Sequence, residues 1–345
     1  MEIASPSTTS SHPGMAAGAL GSATASGFTS PSVAAAPCPA CGSPAFRSVL
    51  SAPTAGGPRA LVSCSRCGLL RFLGAAQRSA VPCFFDAIER RDPARCWPER
   101  LLSYFREAAA GGPLRFLMND EWKQRTGARV FHVDAVDGTV CRGVQQQSLQ
   151  ARPVVASPSI AGASRALHRH GIDALVADPV RSPLRSRCVD AIVRFRGFTS
   201  EADPAAWLST AATQLRPGGR IYLQVFDCSS WAFLLCGSHW VGLEPSLANY
   251  AYRGEDVEVL FDLSGLRITR RSHAFPMLNT FAWASSLAPW LHRRLDPCLA
   301  SNSGPLPVLP VLLYLLLVLA LYPFALVESL CHAGSVLMIE AERKA

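Results

Sequence analysis

Lysine is nearly missing from this chain. Lys123 and Lys344 are the only two in 345 residues, so arginine carries almost all of the formal charge of +8. No run of five or more basic residues occurs. That excludes a basic arm of the kind that grips nucleic acid and leaves arginine spread over a solvated surface, which can still meet phosphates or anionic lipid. A secretory signal is also lacking, because no basic stretch precedes an unbroken apolar run near the N-terminus. The expected location is therefore cytoplasmic, with the twelve cysteines reduced and not paired as disulfides. Charge is absent from two long stretches. Residues 1–36 carry only Glu2 and consist mainly of Ser, Ala, Gly, Thr and Pro. Such a segment buries too little apolar surface to offset its ordering entropy, and it reads as a disordered tail. The second uncharged stretch lies between Asp296 and Glu328. No internal repeat is evident.

Hydrophobic residues make up 49% of the chain and charged residues 17%, enough for a sizeable core and for two domains. Residues 75–127 read as a helical linker region. In it Leu101, Leu102 and Phe105 share a helix face, and Gly111-Gly112-Pro113 is expected to end the helix. From residue 128 the pattern changes to short apolar runs alternating with helical stretches. Strands are expected at 129–133, 153–156, 174–177, 189–193, 220–225 and 266–270, with a last one at 335–340. Helices are expected at 160–170 and 204–215. This alternation implies an α/β domain over 128–345, with a mostly parallel sheet covered on both faces.

Residues 37–74 hold the strongest motif. Cys38-Pro39-Ala40-Cys41-Gly42 and Cys64-Ser65-Arg66-Cys67-Gly68 are two C-x-x-C pairs separated by 22 residues, room for a short hairpin. Each pair bends two thiolates toward one point, and two pairs supply the four soft ligands that tetrahedral zinc prefers. The glycine after each pair gives the permissive backbone of a tight knuckle. Four thiolates leave no open coordination position, so Cys38, Cys41, Cys64 and Cys67 are expected to bind a structural zinc in a ribbon. Zinc ribbons also grip nucleic acid, but the segment 46–62 offers only Arg47 and Arg59 and no aromatic beyond Phe46.

Further along, Leu215-Arg216-Pro217-Gly218-Gly219-Arg220 is a helix end, a Pro-Gly-Gly turn and a strand start. With it come Val189-Asp190-Ala191-Ile192-Val193, Asp203-Pro204, Ser230-Trp231, Gly237, Trp240-Val241-Gly242-Leu243, Pro245 and the closing Gly334-Ser335-Val336-Leu337-Met338-Ile339. In this order they resemble the class I S-adenosylmethionine-dependent methyltransferases, within a bacterial subgroup that carries an N-terminal double C-x-x-C zinc ribbon. The resemblance implies a Rossmann-like sheet, S-adenosylmethionine as cofactor and methyl transfer as activity. It places the cofactor loop after the first strand at 132–138, where the family's D-x-G-x-G-x-G reads His-Val-Asp-Ala-Val-Asp-Gly. Gly138 remains, Asp134 and Val136 replace glycines, and His132 replaces the leading acid. The acid that holds the ribose hydroxyls corresponds to Ser157, and the position that often meets the adenine amino group corresponds to Asp178. Asp134, Gly138, Ser157 and Asp178 are thus the implied cofactor-binding residues. The subgroup's histidines after strand four and after the G-L-x-P turn are replaced in 197–200 and 246–249, so no catalytic base is assigned. His239 and Asp227 lie nearby in sequence and read as surface or structural residues.

The uncharged C-terminal stretch centres on 308–327, twenty almost wholly apolar residues that span roughly 30 Å as a helix. Three readings stay open: a spanning helix, a re-entrant or surface-lying anchor, and a helix buried against the sheet. If 335–340 completes the sheet, a single crossing would strand it on the wrong side. Arg293 and Arg294 before the stretch favour a cytoplasmic main domain. Two functions compete: methyl transfer to a small-molecule or lipid-linked acceptor, and a non-catalytic, membrane-associated scaffold of methyltransferase fold. A zinc-ribbon nucleic-acid binder is the weaker third.

Overall fold

The computed structural model describes residues 37–54, 57–74, 97–118, 127–135, 138–148, 150–177, 184–295 and 308–344. The tail at 1–36, most of the linker outside its helix, and Val136, Asp137 and Asp178 lie outside the described residues.

The segment around the two cysteine pairs folds as antiparallel strands β1 (Phe46–Ala52), β2 (Arg59–Cys64) and β3 (Leu70–Phe72). Helix α1 (Trp97–Leu117) follows, and it runs through Gly111-Gly112-Pro113 instead of ending there. Tertiary contacts outweigh the local break signal. The Phe275 ring lies 2.9 Å from where a Cβ on Gly112 would stand, so the bare backbone there is a packing requirement. At the C-terminal end, the Arg270 guanidinium donates to the Phe116 carbonyl and stacks over the Phe116 ring, satisfying a carbonyl the helix leaves open.

The α/β region then alternates in chain order. It comprises β4 (Arg129–Val133), α2 (Thr139–Gln147), β5 (Arg152–Ser157), α3 (Ile160–His170), β6 (Asp173–Val176), β7 (Val189–Arg194), α4 (Pro204–Gln214) and β8 (Leu215–Phe226). After these come α5 (Trp231–Cys236), β9 (Tyr250–Ala251), α6 (Gly254–Leu263), β10 (Leu266–Ser272), α7 (Pro276–Leu287), α8 (Pro289–Leu295), α9 (Val308–Leu330) and β11 (Val336–Arg343). Local chemistry sets several boundaries. The Asp203 carboxylate accepts from the Ala206 N–H and Pro204 opens α4. Ser159 caps α3, and Gly171, in the left-handed region, ends it. The Pro-Gly-Gly turn lies inside β8: Val189 pairs with Leu215 but Ala191 with Arg220, so residues 216–219 loop out of the ladder.

Seven strands form one sheet in the order β10-β11-β8-β7-β4-β5-β6. All run parallel except β11, which is antiparallel to both β8 and β10. This is the Rossmann-like methyltransferase sheet that the resemblance implies, joined to an N-terminal ribbon and a C-terminal apolar helix. Alternation along the strands feeds both faces. Val130, Ala191, Val193, Tyr222 and Met338 face one core with α1, α7 and α9, while Phe131, Ile192, Leu223, Val225 and Ile339 face the other with α4 and α6. Strand order reverses between β4 and β7, so the crevice of this α/β sheet lies at the carboxyl ends of those two strands.

Helix α9 is held by one stripe. Val311, Tyr314, Leu315, Val318, Ala325, Glu328 and Ser329 are buried. The Tyr314 hydroxyl bonds Ser285 Oγ at 2.8 Å. Asn279 ties three elements, donating to Ser329 Oγ and the His273 carbonyl and accepting from the Val336 N–H. Glu328 accepts from Trp283 Nε1 at 2.8 Å and from the Ala232 N–H at 3.3 Å. Because β10 and β11 are neighbours in one sheet, α9 leaves and returns on the same side, which rules out the single-crossing reading.

Burial pushes the Glu328 carboxyl up to about 7 from an ordinary 4.5, against the pull of the Trp283 and Ala232 hydrogen bonds and of His273. The folded state therefore holds this proton more tightly than the unfolded chain does. Its contribution to stability is complete below about pH 4.5 and is lost as pH rises through about 7, a span on the order of 3 kcal/mol. Glu328→Gln should flatten that slope, read as the denaturation midpoint against pH. A second substitution tests the tie at Asn279: Asn279→Leu leaves the buried Val336 N–H unpaired, while Ser329 keeps the Ala325 carbonyl and the His273 carbonyl keeps the Phe275 N–H, and it should lower stability by roughly 1–3 kcal/mol in denaturant titration.

Candidate functional site

The two knuckles bring their thiols together. The Sγ atoms of Cys38, Cys41, Cys64 and Cys67 all lie within 4.8 Å of one another, and the pairs Cys38–Cys67 and Cys41–Cys64 stand 3.5 Å apart. Thiolates around a tetrahedral zinc stand about 3.8 Å apart, so the donor set and its spacing fit that ion. Gly42 and Gly68 donate back to the Cys38 and Cys64 carbonyls, both with left-handed backbones at φ of 70° and 79°. For Cys64, burial is overcome by backbone N–H groups of Cys67 and Arg66, and its thiol falls to about 6. Burial and the competing neighbouring thiols push Cys67 up to about 12. One thiolate thus suppresses the next, and a bound cation would relieve that repulsion.

The ribbon is sewn to the α/β region. β3 pairs with β9, giving a four-stranded sheet β1-β2-β3-β9 whose last strand comes from residues far along the chain. The Phe72 N–H donates to the Asn249 carbonyl, and Arg59 donates to the carbonyls of Pro245 and Ala248. Arg253, paired with Asp256, packs its guanidinium over Gly68, where a Cβ would collide. Asn249 continues the path. Its N–H donates to the Thr199 carbonyl and its side chain to the Ser200 carbonyl at 2.8 Å. Residues 199–201 follow β7, on the rim of the crevice.

Across that rim, the loop after β4 is braced by the loop after β7. Asp134 adopts a left-handed backbone, φ 63°, unusual for a residue with a side chain. Its carboxylate fills the space a Cβ on Gly197 would need. Arg196 donates to the Asp134 carbonyl from Nε at 2.9 Å and also from Nη2. Beneath them, Arg194 and Glu201 form a fully buried ion pair at 2.8 Å, and Arg194 also donates to the Gly197 carbonyl and lies over the Trp207 ring. Burial raises the Asp134 carboxyl, Arg194 pulls it back down and Glu201 raises it.

Of the residues singled out from sequence, Asp134, Gly138 and Ser157 stay together at the carboxyl ends of the adjacent strands β4 and β5, where Val133 pairs with Ala156 and the Ala135 N–H donates to the Ala156 carbonyl. Gly138, N-cap of α2 at φ 82°, is crowded by Ala166 of α3, 2.9 Å from where its Cβ would stand, so helix packing alone demands glycine there. Ser157 is buried at the end of β5, where its Oγ accepts from the Ser159 N–H at 3.4 Å. His132 is buried in β4 with its ring edge-on to Phe195. Asp178 lies outside the described residues. Asp227 is buried at the end of β8 and contacts His273 Nε2 at 2.9 Å, whereas His239 is exposed. The sequence reading missed Arg194, Arg196 and Glu201. Two arginines around Phe195 at the close of an apolar strand were the available signal.

No protein-family model matches the chain, and no curated protein matches it in sequence. Among solved structures the chain is similar to the methyltransferase in complex with the Trm112 methyltransferase activator of Haloferax volcanii (16% identity, 71% of this chain and 92% of that chain, TM-score 0.47). It is also similar to an S-adenosylmethionine-dependent methyltransferase from Mesorhizobium loti (14%, 69% and 100%, TM-score 0.44). A third is geranyl diphosphate C-methyltransferase from Streptomyces coelicolor A3(2) (13%, 78% and 91%, TM-score 0.45). The strand order and the reversed last strand, not these distant likenesses, make the chain methyltransferase-like in fold.

Two measurements follow from the braced rim. Glu201→Ala leaves Arg194 buried without its counter-charge and should cost about 3–5 kcal/mol in chemical denaturation. Removal of zinc by a chelator should speed amide hydrogen exchange at 249–252 and 199–201 as well as within the ribbon; acceleration confined to residues 37–74 would contradict the coupling.

Proposed function

We propose that this chain is a non-catalytic, membrane-associated scaffold with a methyltransferase fold and a structural zinc ribbon. The observation that carries the reading is the brace of Asp134, Arg196, Arg194 and Glu201 across the crevice. A class I cofactor needs bare main chain after the first strand, because its methionine end, with a carboxylate of its own, must approach the backbone closely. Here the described part of the loop carries the Asp134 side chain, packed against Gly197, in place of bare main chain, and the Asp134 carbonyl is already taken by Arg196. Gly138 answers to Ala166 and Ser157 caps its own turn, so neither argues for a ligand. These residues do not fit S-adenosylmethionine, and no step is derived through it. The outward, apolar side of α9 supports association with a membrane.

Methyl transfer to a small-molecule or lipid-linked acceptor is the competing reading, and the complete seven-strand sheet favours it. Nucleic-acid binding by the ribbon is disfavoured, since Arg59 is engaged with the carbonyls of Pro245 and Ala248. Calorimetric titration separates the first two. The zinc-loaded chain should give no saturable heat with S-adenosylmethionine up to millimolar concentration, and Asp134→Gly should not create methyl transfer. Saturable binding by the unmodified protein would sink the scaffold reading.

A further inference from the structure

α9 meets the protein along one stripe, and every exposed position from Val308 to Leu330 is apolar. Leu309, Leu313, Leu316, Ala320, Phe324 and Val327 recur at intervals of three and four and form the opposite stripe. The apolar surface continues onto neighbouring helices. The Trp231 ring of α5 meets the Phe324 ring with centroids 5.9 Å apart. One turn on, Leu234 and Leu235 are 70% and 71% exposed, nearly as open as in an unfolded chain. On another side α8 packs against α9, with Trp290 57% exposed. Scattered exposed hydrophobics need no explanation, but open apolar side chains on α9 and on two helices that touch it do.

We propose that α5, α8 and α9 form one in-plane docking surface for an anionic lipid bilayer. The inference deepens the membrane-associated reading and rests on it. Two observations select lipid over a protein partner, and a third sets the helix in the plane. A protein interface carries a polar rim and about one hydrogen bond per 100–200 Å², whereas every fully exposed side chain of α9 is apolar and only the half-buried Tyr322 brings a polar group to its surface. The sequence of α8, Pro-Trp-Leu-His-Arg-Arg-Leu, carries two arginines and no acid, and the chain's charge of +8 complements acidic headgroups. The adjacency of β10 and β11 forbids a crossing. The helix therefore lies parallel to the membrane, its outer stripe sunk about 5–10 Å into the boundary of headgroups and acyl chains. Glu328, Asn279 and Tyr314 on the inner stripe keep α9 attached to the fold while it is there.

Flotation of the full, zinc-loaded chain with vesicles tests this. The protein should rise with vesicles of equal phosphatidylcholine and phosphatidylglycerol, less with phosphatidylcholine alone, and be released by alkaline carbonate. The exposed pair Leu234→Gln/Leu235→Gln should lower partitioning about tenfold without touching α9. If the unmodified chain stays at the bottom with both vesicles, the membrane reading fails and takes this inference with it. If it floats and the double variant floats equally well, the membrane reading stands and the three-helix surface is refuted. Resistance to carbonate would show a spanning helix and overturn the in-plane geometry. Equal flotation with both vesicles would remove the anionic preference. A stable dimer in solution that fails to float would assign the face to a second copy.

Discussion

The last strand has to return to the middle of a sheet that is otherwise already laid down. β11 runs antiparallel between β8 and β10, with seven residue pairs to β8 from Val336–Phe226 to Glu342–Arg220. Such a ladder cannot form unless the preceding segment, however apolar, brings the chain back to the side from which it left. That requirement is what disciplines α9. Its composition alone suits a bilayer crossing, with no charge until Glu328. Its placement is set instead by Glu328 on Trp283, Asn279 across to Ser329 and Val336, and Tyr314 on Ser285. Burying these polar groups is tolerable only because each finds a partner. Together they turn a segment of membrane character into a cover for one face of the core.

A second chain of dependence runs from the cysteines to the crevice. Four thiols gathered within 4.8 Å are a donor set that fits a tetrahedral cation. The knuckles hold β3, β3 holds β9, and Asn249 beside β9 holds Thr199 and Ser200. Those residues flank Glu201, whose carboxylate neutralises Arg194 below the Asp134 loop. The ribbon is therefore part of the frame of the crevice and not an appendage joined by a tether. Its sheet is closed by residues of the α/β region, so the boundary drawn from composition at residue 74 divides a continuous hydrogen-bonded surface.

The crevice sits where an open α/β sheet should have one, outside the carboxyl ends of the strands at which the order reverses. Its rim is held together by the protein's own charges, Arg194 with Glu201 and Arg196 on the Asp134 carbonyl. Asp134, at a position where the methyltransferase resemblance implies glycine, bears a left-handed backbone that ordinarily costs strain. Here the side chain settles against Gly197 in the field of Arg194, and the carbonyl is taken by Arg196. The contacts of Asp134 with Arg196 and Gly197 thereby join the ends of β4 and β7, the two strands at which the order reverses.

The periodicity of apolar residues and the identity of turn residues determined most of the architecture without help from the fold. Strands 129–133 and 189–193 fall within a residue of β4 and β7, because short apolar runs between helical stretches suit strands buried on both faces. The spacing of Cys38, Cys41, Cys64 and Cys67 likewise specified a four-thiol cluster. Tertiary structure decided the rest, wherever an interaction joins residues distant in the chain. Phe275 and Arg270 carried α1 through Gly111-Gly112-Pro113. Ala166 accounted for Gly138. Arg196 and Glu201 closed the loop that begins at Asp134. The pairing of β10 with β11 laid α9 flat. A local pattern encodes which backbone a segment prefers, but whether that preference is kept depends on partners whose positions exist only once the chain has folded.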